Sequence, residues 1–205
     1  MAGMTTRKVV RCLPAFALAL LWPGSPAADA SSTTTGRAPD TGLRYWEWQG
    51  DGVLFRLTQR LPDQTRAFFL ARGFDPDSAD LIATRCVFQS MFKNTAEAGS
   101  VTIDLDDWRI LVSGDKERAL MTRETWTRQW QTRKPPQSAR IAFEWSLLPT
   151  RQVYGPGDYN WGMTSYGLPP RQRFDLVFSW TRDGKVFTAR LKDIECTPDL
   201  HPEPK

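Results

Sequence analysis

The side chains in this chain that could do chemistry are mostly carboxylates, with one histidine and a pair of thiols outside the N-terminal leader. Asp104, Asp106, Asp107, Glu47 and Glu144 could supply the two carboxyl groups of a general acid–base pair, as in a carboxylate-dependent glycosidase. The same run DLDDW also reads as a turn with solvated acids. His201 stands alone in a proline-rich tail, TPDLHPEPK. A nucleophilic triad requires an imidazole held by a third group, and a zinc site requires several His or Cys ligands. One tail histidine supplies neither. GDGVLFRL leads into a strand instead of opening a helix, so it makes no phosphate loop. A copper site would have to gather Met91, Met121 and Met163 from distant positions, with Cys86 and Cys196 reduced. No catalytic residue, metal ligand or cofactor is assigned from the sequence.

The thiols have a simpler use. Cys12 falls in the leader, which leaves Cys86 and Cys196, too far apart for a C-x-x-C motif. In an oxidising compartment two cysteines read as one structural disulfide. The leader supports that compartment. Arg7, Lys8 and Arg11 precede the apolar run Cys12–Trp22, and Ala28-Asp29-Ala30 offers a cleavage site after Ala30, with a second candidate at Ser25-Pro26-Ala27. The apolar run is about half the ~20 residues a membrane span needs. Residues 1–30 therefore read as a cleaved signal peptide, and the protein as periplasmic or secreted with no transmembrane segment after cleavage.

Without residues 1–30, Lys and Arg fall from 27 to 24 and Asp and Glu from 23 to 22, a net charge of +2. Basic residues never run beyond two and acids lie among them, so a nucleic-acid partner is not expected. The remaining length suits a single globular domain over 43–197, between a flexible polar lead-in over 31–42 and a disordered tail over 198–205.

Hydrophobic spacing gives the elements that must hold these side chains. Trp46 and Trp48 share a face at period two, Gly50-Asp51-Gly52 turns, and Val53, Phe55 and Leu57 alternate with polar neighbours. Pro62 and Asp63 open a short helix that Gly73 ends, with Phe74 reaching back to Phe69. Asp75 caps a second helix whose Ala79, Ile82, Ala83 and Cys86 fall on one face. A strand follows from about residue 87. Val101–Leu105 and Trp108–Ser113 read as a strand pair around Asp106-Asp107. Thr122–Arg133 reads as a helix with Trp126 and Trp130 on one face, ended by Pro135-Pro136. In ARIAFEWSLLP the alternation of Ile141, Phe143, Trp145 and Leu147 predicts a strand. The clearest signal is a hairpin, with alternating runs flanking Asp183-Gly184. These elements predict a mainly β, antiparallel, β-sandwich-like fold with two or three short helices inserted in its first half; α+β is the alternative.

Between two predicted strands lies VYGPGDYNWGMTSYGLPP, residues Val153 to Pro170, with four aromatics, four glycines and three prolines. Two arrangements fit. As an exposed platform it would offer aromatic faces to a ligand. As a bulged hairpin it would turn Trp161 inward and leave Tyr154, Tyr159 and Tyr166 outside. The residues expected to meet a partner are Tyr154, Tyr159, Trp161 and Tyr166, with Arg151 and Arg171 at the rims. The expected function is an exported, non-catalytic accessory or binding protein of the cell envelope that recognises a protein or a glycan. The alternatives are a periplasmic copper-handling protein and a carboxylate-dependent glycosidase.

Overall fold

A computed structural model describes residues 31–112 and 116–200, with Met1 and Gly3. The expected leader and His201 lie outside the described residues. The first sheet runs in the order β1 (Ser32–Arg37), β2 (Arg44–Gly50), β3 (Val53–Gln59), β4 (Val87–Asn94), β9 (Tyr159–Ser165), antiparallel throughout. The second holds β5 (Val101–Asp104), β6 (Arg109–Val112), β7 (Lys116–Ala119), β8 (Arg151–Tyr154), β10 (Arg173–Arg182) and β11 (Lys185–Glu195). The fold is mainly antiparallel β and sandwich-like, with four short helices among the described residues.

Two tight hairpins follow their turn residues. Asp51 and Gly52 have φ of 44° and 79°, and Asp183 and Gly184 have 50° and 73°, the double left-handed geometry that matches strand twist. The lead-in expected to be flexible forms the edge strand β1 instead. Its Ser32–Arg37 backbone pairs with Arg44–Gln49 while its side chains stay almost entirely in water.

β5 and β6 correct the expected strand pair. β11 occupies one edge of β10 along its length, so β5 and β6 share the other edge. The register against β10 advances by three between them, from Thr102↔Thr181 to Arg109↔Val177, which is the length of the 3-10 turn Leu105–Asp107. They are two parts of one strand line, not partners. Trp108 follows the turn and points inward, and its indole N–H donates to the Ser179 carbonyl at 2.9 Å.

Between the sheets, Trp46, Trp48, Phe55, Phe88 and Phe92 face Trp108, Phe174, Phe178 and Trp180. Trp48 meets Trp180 at 4.9 Å and Phe55 meets Phe178 at 4.9 Å between ring centres. A second core lies between the helices and the outer face of the first sheet. It gathers Phe69, Phe74, Ile82, Trp126, Trp130 and Phe143 around Val87 and Met163. Helices α1 (Pro62–Leu70), α2 (Pro76–Ala83) and α3 (Arg123–Arg133) stand where spacing predicts them, and the Asp75 side chain caps α2 by accepting from Ser78 N–H. α4 (Gln137–Ser146) replaces the strand expected there: Ala139 and Phe143, four apart, are buried, while Ile141 and Trp145, also four apart, are exposed. The expected tail is partly docked, since Asp199 pairs with Arg66.

Cys86 and Cys196 form a disulfide across a separation of 110 residues. It joins the start of β4 in the first sheet to the end of β11 in the second, inside the core between them. For a loop of that length, chain entropy gives at most about 4–5 kcal/mol. The C86A/C196A variant is therefore expected to unfold at lower denaturant with its sheets intact at zero denaturant, read by circular dichroism against guanidinium concentration. A loss below about 1 kcal/mol would show that the reduced chain is already held compact before the bond closes.

Candidate functional site

The Val153–Pro170 segment is neither a free loop nor a hairpin. Its first residues end β8 in the second sheet, Gly155–Asp158 turn, and β9 joins the first sheet beside β4. The Asp158 carboxylate accepts from Gly155 N–H at 2.8 Å and closes the turn. The segment thus carries the chain from one sheet to the other, and this crossing decides which aromatics reach water.

Tyr154 and Tyr166, expected outside, are buried at 1% exposure each. Tyr154 lies 5.2 Å from Phe92 and Tyr166 4.8 Å from Phe174. Burial pushes the Tyr154 phenol up to about 12, against a smaller opposing effect of Asn160, and burial pushes Tyr166 up as well, against its contact with Thr164. Both are core residues. Tyr159 and Trp161 sit on the outer face of β9, exposed by 59% and 55%, so the inward packing of Trp161 does not occur. Arg151 donates to Asp104 at 2.6 Å and to Asp106 at 2.8 Å, and these contacts, Asp104 first, raise its pKa above the ordinary arginine value. Arg171 is exposed, with φ 66°, and its N–H donates to the Cys196 carbonyl at 3.1 Å. The six expected residues are therefore not brought together; two of them, Tyr159 and Trp161, share an exposed face.

What Trp161 does meet is the end of α4. A cleft of about 420 Å³ is lined by Arg123, Glu144, Trp145, Leu147, Pro149, Asn160 and Trp161. Trp145 is the most exposed indole among the described residues, at 85%. Arg123, at the start of α3, donates to the Glu144 carbonyl at 3.2 Å and so holds the last turn of α4. Thr150 donates to the Glu124 carboxylate at 2.8 Å and so ties the connector between α4 and β8, Leu147–Thr150, to α3. Burial pushes that carboxylate up, but hydrogen bonds from Thr150 and its own backbone outweigh this and hold Glu124 below the usual range.

Sequence reasoning missed Trp145 and Arg123 because it placed Trp145 in a strand. The available signal was the i, i+4 pair Ala139 and Phe143 following Pro135-Pro136.

Among the carboxylates weighed for catalysis, Asp104 and Asp106 are engaged by Arg151, and Glu47 accepts from Arg56 at 2.6 Å. Glu144 is the one carboxylate among the residues lining the cleft. Among the described residues, no three His, Cys, Asp or Glu side chains gather as metal ligands. A smaller cleft of about 260 Å³, beside Met121 and Trp126, carries Arg85 and Arg118. No family model matches the chain, and neither a curated protein nor a solved structure shows significant similarity to it.

The cleft depends on Gly162. A Cβ there would fall against the backbone of Leu147 and Leu148, 2.5 Å from the Leu147 carbonyl carbon. Backbone cannot rotate away as a side chain can. G162A is expected to cost at least about 2 kcal/mol in chemical denaturation, from overpacking, and to separate α4 from β9. Unchanged stability would show that the connector can shift freely.

Proposed function

We propose that this chain is an exported, non-catalytic binding protein that works in an oxidising compartment and holds its partner in the Trp145–Trp161 cleft. One observation carries the reading: two indoles, largely in water, line one concave site together with a carboxylate, a guanidinium and an amide. Large apolar side chains left in water around a concavity are characteristic of recognition surfaces. Indoles offer rigid, flat area with little rotamer freedom to lose. Glu144, Arg123 and Asn160 supply the few directed hydrogen bonds that orient a bound group.

The Cys86–Cys196 disulfide supports a location outside a reducing cytosol. No described helix is long and apolar enough to cross a membrane. A cleft with one carboxylate favours binding over glycoside hydrolysis, which places two carboxyl groups across the scissile bond.

W145A is expected to leave stability within about 0.5 kcal/mol of the parent, because little packing is lost, whereas W161A, whose indole is nearly half covered, is expected to cost about 1–2 kcal/mol and still fold. Binding is read from the indole N–H resonances of Trp145 and Trp161 while the oxidised protein is titrated with soluble oligosaccharides and with peptides. One class should move both resonances, and the double variant should lose that binding. A ligand bound equally well by parent and double variant would remove the cleft from the function.

A further inference from the structure

β9 ends its sheet, so among the described residues one of its hydrogen-bonding edges has no full strand beside it. The pairing with β4 shows which residues face that edge. At one end of the register Asn94 N–H donates to the Asp158 carbonyl at 3.0 Å; at the other, Tyr166 N–H reaches the Cys86 carbonyl at 3.3 Å. Antiparallel pairing alternates, so the even-numbered residues of β9 bond to β4 and the odd-numbered ones turn their main-chain groups outward. The chain itself fills two of those odd positions. Met121 N–H donates to the Ser165 carbonyl at 3.0 Å and Leu148 N–H to the Met163 carbonyl at 2.9 Å.

The next odd positions are Trp161 and Tyr159. Among the described residues, no main-chain group outside β4 bonds to either. The connector meets the edge at a single parallel bridge, Leu147↔Met163, and Leu148 is its one residue that bonds there through the main chain among the described residues. The Trp145–Trp161 cleft opens at this point. Natural edge strands are usually blunted by lysine, proline or a bulge. This stretch of edge instead carries Tyr159 and Trp161, both exposed.

We infer that an extended polypeptide segment of a partner protein adds to the outward edge of β9 at Trp161 and Tyr159, continuing the pairing that Leu148 begins, with one of its side chains between Trp145 and Trp161. The inference rests on the cleft being the binding site and names what occupies it. Strand-spaced main-chain donors and acceptors are matched by another strand. Sugar hydroxyls carry no such repeat. The two indoles then select the side chain that alternation brings to the outer face.

The test uses linear dodecapeptides selected by phage display on the oxidised protein. Each binder is remade with N-methyl groups on alternate backbone nitrogens, in both phases. One phase should weaken binding about tenfold or more, the equivalent of one or two lost hydrogen bonds, and the other should not. Bound peptide should also slow exchange of the Trp161 and Tyr159 amides. Y159P, which removes an outward N–H but none that bonds to β4, should weaken binding similarly; the methylated peptides decide the matter if that variant fails to fold. Peptides that need Trp145 but tolerate methylation in both phases overturn strand addition and leave the cleft reading standing, as does cleft binding by oligosaccharides alone. A protein that pairs with its own copies through this edge, seen as a dimer by light scattering that Y159P dissociates, overturns the separate partner. Selection that yields no binder, or binders indifferent to W145A/W161A, overturns the proposal.

Discussion

The chain must pass from the helices outside the first sheet to the strands of the second, and it does so by crossing the rim of β9 against a residue with no side chain. At Gly162 the backbone of Leu147–Leu148 lies where a Cβ would stand. The two leucines divide there, Leu147 into the core under the helices and Leu148 into the core between the sheets. This contact fixes the last turn of α4, and therefore Trp145 and Glu144, relative to β9. It also places Pro149 and Thr150 on the way to β8. A concave site at a sheet edge results from a packing requirement: a connector joins two cores by touching the rim at one point and leaves the adjoining rim uncovered.

Both cores meet some of their polar atoms with directed bonds. Between the sheets, Trp108 has its indole N–H bonded to Ser179, and Ser90 and Thr164 share a buried hydroxyl contact at 2.7 Å. Under the helices, Trp126 donates to the Ser165 hydroxyl at 2.8 Å and stacks on Trp130 at 5.2 Å between centres. Ser165 links the layers, because the same residue takes the Met121 N–H on its carbonyl. The helices are thus seated on β9 by directed bonds as well as by apolar burial, and this keeps a largely aromatic interface in one arrangement.

Local chemistry was legible where one residue pair settles a conformation. Asp183-Gly184, Asp75 as a cap, and Gly73 with Phe74 folding back on Phe69 all behave as their types require. The sandwich followed from alternation in β2, β3 and β10. Over Ile141–Leu147 a period of two and a helical face both fit the same few residues, and burial in the second core, a tertiary matter, decided for helix. Tyr154 and Tyr166 were misplaced for a related reason. Composition marks a segment as aromatic and turn-rich, but it does not say that the segment changes sheets midway, which sends its two end tyrosines inward and its middle aromatics outward. The site needed Trp145 and Trp161 together, and their proximity exists only once α4 and β9 are both in place.

The disulfide has a consequence for the opened chain as well as for the folded one. Cys86 precedes β4 and Cys196 follows β11, so the bond closes a loop that holds the described strands from β4 to β11 and leaves β1, β2 and β3 outside it. When the sandwich comes apart with the bond intact, the two ends of that loop stay side by side, and the opened chain is a ring with arms instead of a free thread.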